Sequence, residues 1–229
     1  MPWRSETSAM VDGKFLASHP TAFAVTKLHT WMGAVLAVRN SATGAAVMEV
    51  ETVEVGYRNL RALVLLDAAS RRPLLTVEEV GTNRRRWQAI RGGGASRGNR
   101  VFVAIDRTGF FETGVLVDVF LEGNSTAHPD YVVHGSYFKG AMTVSRGGGG
   151  GEDVAQIGKE DGSKSSVLSG EHTYHVKIDP DVDQALVLAL TVIVDQKHNY
   201  DFESSSCSCN HSSHHFHHGS RSTGSRGHH

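Results

Sequence analysis

The segment Asp179–Lys197, DPDVDQALVLALTVIVDQK, restricts the fold more than any other stretch of the chain. Its opening reads as a helix start, with Asp179 placed to cap and Pro180 at the first helical position, where a missing N–H costs nothing. Asp181 and Asp183 then fall in the positive first turn, and Lys197 in or near the negative last turn. Between them, the eleven residues Gln184–Val194 carry no charge, and only Gln184 and Thr191 are polar. The candidate core residues Val182, Leu186, Leu188, Leu190, Val192 and Ile193 point all round a helical turn, so the predicted helix, 180–197, has no polar face. Such a helix is buried on every side or lies in a membrane. Its uncharged run spans roughly 16 Å against ~30 Å of hydrocarbon, which argues against a transmembrane span. The rest of the chain is therefore expected to wrap around it.

Residues after Glu203 are low-complexity, leaving about 200 of the 229 for one domain with a large core. A net charge of −1 gives no global field for nucleic acid or acidic substrates. Both cysteines, Cys207 and Cys209, lie in the tail, so the folded part has no disulfide framework and reads as intracellular. The start, MPWRSETSAMVDGKF, lacks the apolar run of a signal peptide, and Pro2 stands where myristoylation needs glycine. The expected location is cytoplasmic, with membrane-peripheral and nuclear placements left open.

The organisation read from the chain is an irregular arm over 1–20, a folded domain over 21–200 and a disordered Ser/His-rich tail over 201–229. Within the arm, Phe15 and Leu16 are the residues able to anchor it. From Thr21 onward, short β signals alternate with Gly, Asn, Asp and Ser. Twelve strands are predicted, at 23–30, 34–39, 45–54, 60–67, 73–80, 84–91, 101–106, 110–121, 131–137, 140–145, 153–158 and 172–178. Val115, Val117, Val119 and Leu121 share one face, and Tyr174, Val176 and Ile178 oppose His175 and Lys177. Arg39–Ala45 and Asp67–Pro73 read as hairpin turns. Twelve strands and one all-apolar helix predict a mainly β fold: a closed antiparallel barrel, which has no edges and surrounds the helix. A sandwich would leave half of that helix wet.

Val11-Asp12-Gly13-Lys14-Phe15, Leu63–Leu75 (LVLLDAASRRPLL) and above all Asp181–Gln196 (DVDQALVLALTVIVDQ) resemble the plant LURP-one-related family, over roughly residues 11–198. The resemblance implies the tubby C-terminal fold, a twelve-stranded barrel around a hydrophobic helix. It also implies an association with basal defence against pathogens, and no established catalytic residues. Structural relatives of the fold suggest two roles: tubby proteins bind phosphoinositides through basic barrel residues, and scramblases carry a calcium-linked acidic segment before the matching helix.

Eight arginines between Arg71 and Arg100 face only Glu78 and Glu79, a local excess of +6. Arg71, Arg72, Arg84, Arg85, Arg86 and Arg91 are the candidate lipid-headgroup residues, since guanidinium forks suit phosphate. Trp87 beside them suits an interfacial anchor. The same residues also suit an ordinary solvated hairpin face. Asp179, Asp181 and Asp183 fit the first positions of a calcium loop, but Gln184 and Leu190 occupy its glycine and closing-acid positions. Gly94-Ala95-Ser96-Arg97-Gly98 spells a nucleophile elbow, yet a strand rather than a helix is predicted after it. The glycine-rich 147–151 lacks the Lys-Ser/Thr of a phosphate loop. Seven of the fourteen histidines lie in the tail, with spacing that supplies ligands but no supporting shell for a defined metal site.

The expected function is that of a non-enzymatic, defence-associated protein without cofactor or metal, tethered to anionic phospholipid by the arginine hairpin. The alternative is a soluble protein-interaction module with no lipid ligand.

Overall fold

The computed structural model describes residues 11–30, 33–55, 60–81, 85–93, 99–108, 114–137, 139–147, 150–160 and 172–207. Among them the alternating apolar segments form twelve strands: β1 (Thr21–Thr30), β2 (Gly33–Asn40), β3 (Ala46–Val55), β4 (Leu60–Asp67), β5 (Pro73–Glu79), β6 (Arg86–Arg91), β7 (Arg100–Asp106), β8 (Gly114–Leu121), β9 (Tyr131–Ser136), β10 (Ala141–Arg146), β11 (Asp153–Lys159) and β12 (Thr173–Ile178). One long helix follows, α1 (Gln184–Cys207). Each strand pairs antiparallel with its sequence neighbours, and β12 returns to β1 to close the barrel. The closing pair sets Phe23 opposite Val176 and Val25 opposite Tyr174. The expected closed barrel, its strand number and its buried helix are all present.

Side-chain alternation sorts the wall. Val115, Val117 and Val119 point into the core while Leu116 is exposed, and Tyr174, Val176 and Ile178 are buried while His175 and Lys177 face out. Register shifts at Val38/Arg39, Leu65/Leu66, Ala89/Ile90 and Val144/Ser145 mark irregularities in four strands. All four lie toward the end where the helix enters, and such bulges add the bend that closure requires. Both expected hairpin turns form. Asp67 holds the second, its Oδ1 accepting from the Ala69 and Ser70 amides.

The helix fills the lumen. Every residue from Leu186 to Asp195 is at most 2% exposed, and Val182 just before it is equally buried. Its start differs from the expected one. Asp183, not Asp179, is the cap: its Oδ1 accepts from the Leu186 amide at 3.1 Å. Asp181 has φ 59°, which a right-handed helix excludes, so Asp179–Val182 form the turn that steers the chain inside. The helix also continues past Lys197 to Cys207, because 198–207 contains neither glycine nor proline to stop it. The tail from 208 onward lies outside the described residues.

Residues 11–17 cover the entry end. Asp12 caps a short 3-10 turn at Gly13–Phe15, Phe15 is buried against the core, and Leu16 bridges to Asp183. Residues 1–10 of the expected arm lie outside the described residues. Among the described residues, no helix is long and apolar enough to cross a membrane.

Candidate functional site

The arginine cluster divides when it is folded. Leu75 lies opposite Arg91 and Glu79 opposite Trp87, so Arg71, Arg72 and Arg91 sit at the helix-entry end and Arg85 and Arg86 at the exit end. The length of β6, five residue steps or roughly 17 Å, separates the two groups. One headgroup cannot collect both. Arg71 is also engaged, bridging Glu49 and Glu51 of β3, and that pairing raises its already high pKa. Arg100 pairs with Glu122. Arg85 turns to the barrel mouth, where its Nη2 donates to the Thr108 carbonyl at 3.2 Å. Arg72, Arg86 and Arg91 are exposed, while Arg84 and Arg97 lie outside the described residues. Trp87 is 3% exposed and part of the core, so it is not an interfacial anchor. Strand alternation turns it inward with Ala89, a position that proximity to arginines in sequence does not reveal.

At the exit mouth, polar groups gather where the helix leaves the lumen. Asp195 is fully buried, and its Oδ1 accepts from Tyr174 Oη at 2.9 Å and lies 2.6 Å from His172 Nε2. Lys27 Nζ stands 3.6 Å from its other oxygen. Burial alone would raise this carboxyl, but the His172 hydrogen bond and the Lys27 charge outweigh it and hold Asp195 below the usual carboxylate range. The chain of contacts continues through Tyr174 and Tyr137, whose hydroxyls are 3.1 Å apart, to Lys159 Nζ, 3.1 Å from Tyr137 Oη. Burial pushes Tyr137 up to about 12, and burial together with the Asp195 charge raises Tyr174 as well.

One helical turn carries a second anchor. Lys197 Nζ donates to Asp106 Oδ1 at 3.0 Å and to Thr108 Oγ1 at 2.6 Å. Asp195 thus ties the helix to the closing seam of the barrel, and Lys197 ties it to the end of β7. These groups satisfy one another, so the cluster holds structure together rather than offering a reactive centre. The sequence reading missed it, although it contained a signal: a carboxylate directly after an all-buried helical run needs a cationic partner. Lys27 continues the inward alternation of Phe23 and Val25.

A groove of about 740 Å³ opens on the outer wall across β8, β9 and the β10–β11 connection. Within it His134 Nε2 lies 2.8 Å from Ser145 Oγ, which donates to Asp153 Oδ1 at 2.7 Å. The residue types are those of a hydrolytic triad, but the order is wrong. Serine sits in the middle and gives its only proton to the carboxylate, so the imidazole donates to it and cannot act as its base. No spacing in the sequence announces these residues, which come from three different strands.

Among the described residues, the other sequence patterns lack the structural context their chemistry would need. The Gly94–Gly98 elbow lies outside the described residues, but β6 before it and β7 after it are paired antiparallel strands, not the strand and helix that an elbow needs. Asp179 and Asp181 are exposed in a turn while Asp183 caps the helix. Among the described residues, no three His, Cys, Asp or Glu side chains converge as metal ligands.

Residues 21–195 match the profile of the family described as LURP-one-related. Protein LURP-one-related 15 of Arabidopsis thaliana is 27% identical over 194 residues, covering 84% of this chain and 87% of that protein. Protein LURP-one-related 1 of the same plant is 24% identical over 192 residues, covering 82% of this chain and 83% of the relative. The X-ray structure of a protein from Arabidopsis thaliana superposes with a TM-score of 0.61 at 25% identity, covering 83% of this chain and 98% of that one.

Proposed function

The chain belongs to the LURP-one-related family, and from that premise we propose that it is a non-enzymatic scaffold that recruits a protein partner on the outside of its barrel. The filled lumen carries this reading. With Leu186–Asp195 occupying the interior, ligands have only the outer wall and the two ends to bind. The serine-centred order of His134, Ser145 and Asp153 supports a non-catalytic role. Basal defence against pathogens is the setting the family suggests. A loss-of-function line that supports the same pathogen growth as its parent would contradict that setting.

The division of the arginines favours a protein partner over the lipid tether. Among the described candidates, a headgroup site would have only Arg86 exposed at the exit end, with Arg84 beside it in sequence, and Arg72 and Arg91 exposed at the entry end beside the engaged Arg71. Flotation of the full chain with neutral and anionic vesicles separates the two readings. The scaffold reading expects the protein to stay in the soluble fraction with both. Salt-sensitive flotation with anionic vesicles alone, lost when Arg84, Arg85 and Arg86 are all replaced by Ala, would establish the tether and overturn it.

A further inference from the structure

We propose that the outer groove across β8, β9 and the β10–β11 connection is a docking site for a protein segment carrying an arginine or lysine beside an apolar residue. This rests on the scaffold reading and names the chemistry of the partner. The groove's volume, about 740 Å³, suits one or two side chains. Its apolar wall comes from Leu116, Pro129 and Val132. Leu116 is 38% exposed, one of three large hydrophobic side chains exposed to that degree among the described residues, and of those three it alone lines this groove. The pleat accounts for this. Val115 and Val117 turn into the core, which sends Leu116 outward.

The charge of the lining is one-sided. Among the described residues, Asp118 and Asp153 line the groove together with His128 and His134, and no lysine or arginine does. Arg107 Nε donates to Asp118 Oδ2 at 3.1 Å, so Asp118 is already paired and Asp153 carries the charge offered to a guest. An exposed carboxylate at the edge of an apolar wall favours a cationic guest. Asp153 is also held in place: Ser145, 5% exposed, donates to its Oδ1 at 2.7 Å. A carboxylate already oriented loses less freedom when it pairs. The exposed imidazole of His134 offers a flat face beside it, on which a guanidinium stacks more readily than an ammonium. Arginine is accordingly the better guest, with its neighbouring apolar side chain over Leu116 and Val132.

The test is an NMR titration of the ¹⁵N-labelled full chain with acetyl-Leu-Arg-Leu-amide, up to ~10 mM to read weak affinities. The control peptide carries citrulline, which keeps the shape of arginine and removes the charge. Amide shifts should concentrate at Leu116, Val132 and His134, with the citrulline peptide roughly fivefold weaker, the upper range for a partly exposed ion pair. Asp153→Asn keeps an oxygen for Ser145 and should abolish the preference for arginine. Leu116→Lys should abolish the shifts without changing the melting temperature, since its side chain lies outside the core. Equal binding of both peptides, or no shifts in the groove, would overturn the proposal. Arginine-selective shifts elsewhere would overturn the groove but leave the scaffold reading standing, whereas anionic-vesicle binding overturns that reading by its own assay.

Discussion

Replacing Asp195 by Ala tests whether the polar cluster at the barrel mouth is what fastens the helix to the wall. The carboxylate is fully buried, takes hydrogen bonds at 2.9 Å and 2.6 Å from Tyr174 and His172, and lies 3.6 Å from Lys27 Nζ. Alanine leaves the Lys27 charge without that carboxylate in a site where the lysine side chain is only 10% exposed. Removing one side of a buried pair costs ~3–5 kcal/mol. A domain of this size loses about 2–4 °C per kcal/mol, so the melting temperature should fall by roughly 6–20 °C. Asp195→Asn keeps an acceptor but not the charge and should fall between. The pH dependence follows from the lowered carboxyl. Its contribution is complete above the unfolded value of ~3.9 and is lost as pH falls through the lower folded value. The difference between wild type and the Asn variant should therefore persist at neutral pH and shrink only below about pH 4. Differential scanning fluorimetry across a pH series measures both effects. A melting temperature within ~2 °C of wild type for Asp195→Ala would refute the reasoning.

Leu188→Asp would place an unpaired charge where nothing is exposed, and should abolish soluble expression or cost several kcal/mol, read by expression yield and circular dichroism. Gly135→Ala should destabilise by ~2 kcal/mol or more in urea denaturation, because at φ 140° its Cβ would lie 2.4 Å from the Ala141 carbonyl oxygen. Arg71→Gly removes a left-handed non-glycine residue, at φ 58°, along with its two ion pairs. Its melting temperature relative to wild type should rise with salt, as screening weakens the pairs while the backbone relief persists.

The helix and the barrel were legible in the sequence for local reasons. An uncharged run with no polar face has one soluble solution, complete burial, and period-two alternation places Val115, Val117 and Val119 inside whatever the strand order is. Hairpin chemistry at Asp67 acts within a few residues, so both turns could be read directly. The helix start was misread because a cap is set by backbone geometry: Asp179 and Asp183 are equivalent as letters, and the left-handed Asp181 decides between them. The functional surfaces were the least legible. Density of arginine in sequence is not density in space, because the extended β6 holds Arg86 and Arg91 a full strand length apart, at its two ends. Trp87 went inward by the same alternation that built the core. Asp195, His172 and Lys27 meet only because β12 closes on β1 around the helix, and His134, Ser145 and Asp153 only because β9, β10 and β11 are neighbours in register. Local patterns determine which face of an element is apolar, whereas long-range pairing decides which polar groups meet, and no spacing along this chain encodes that.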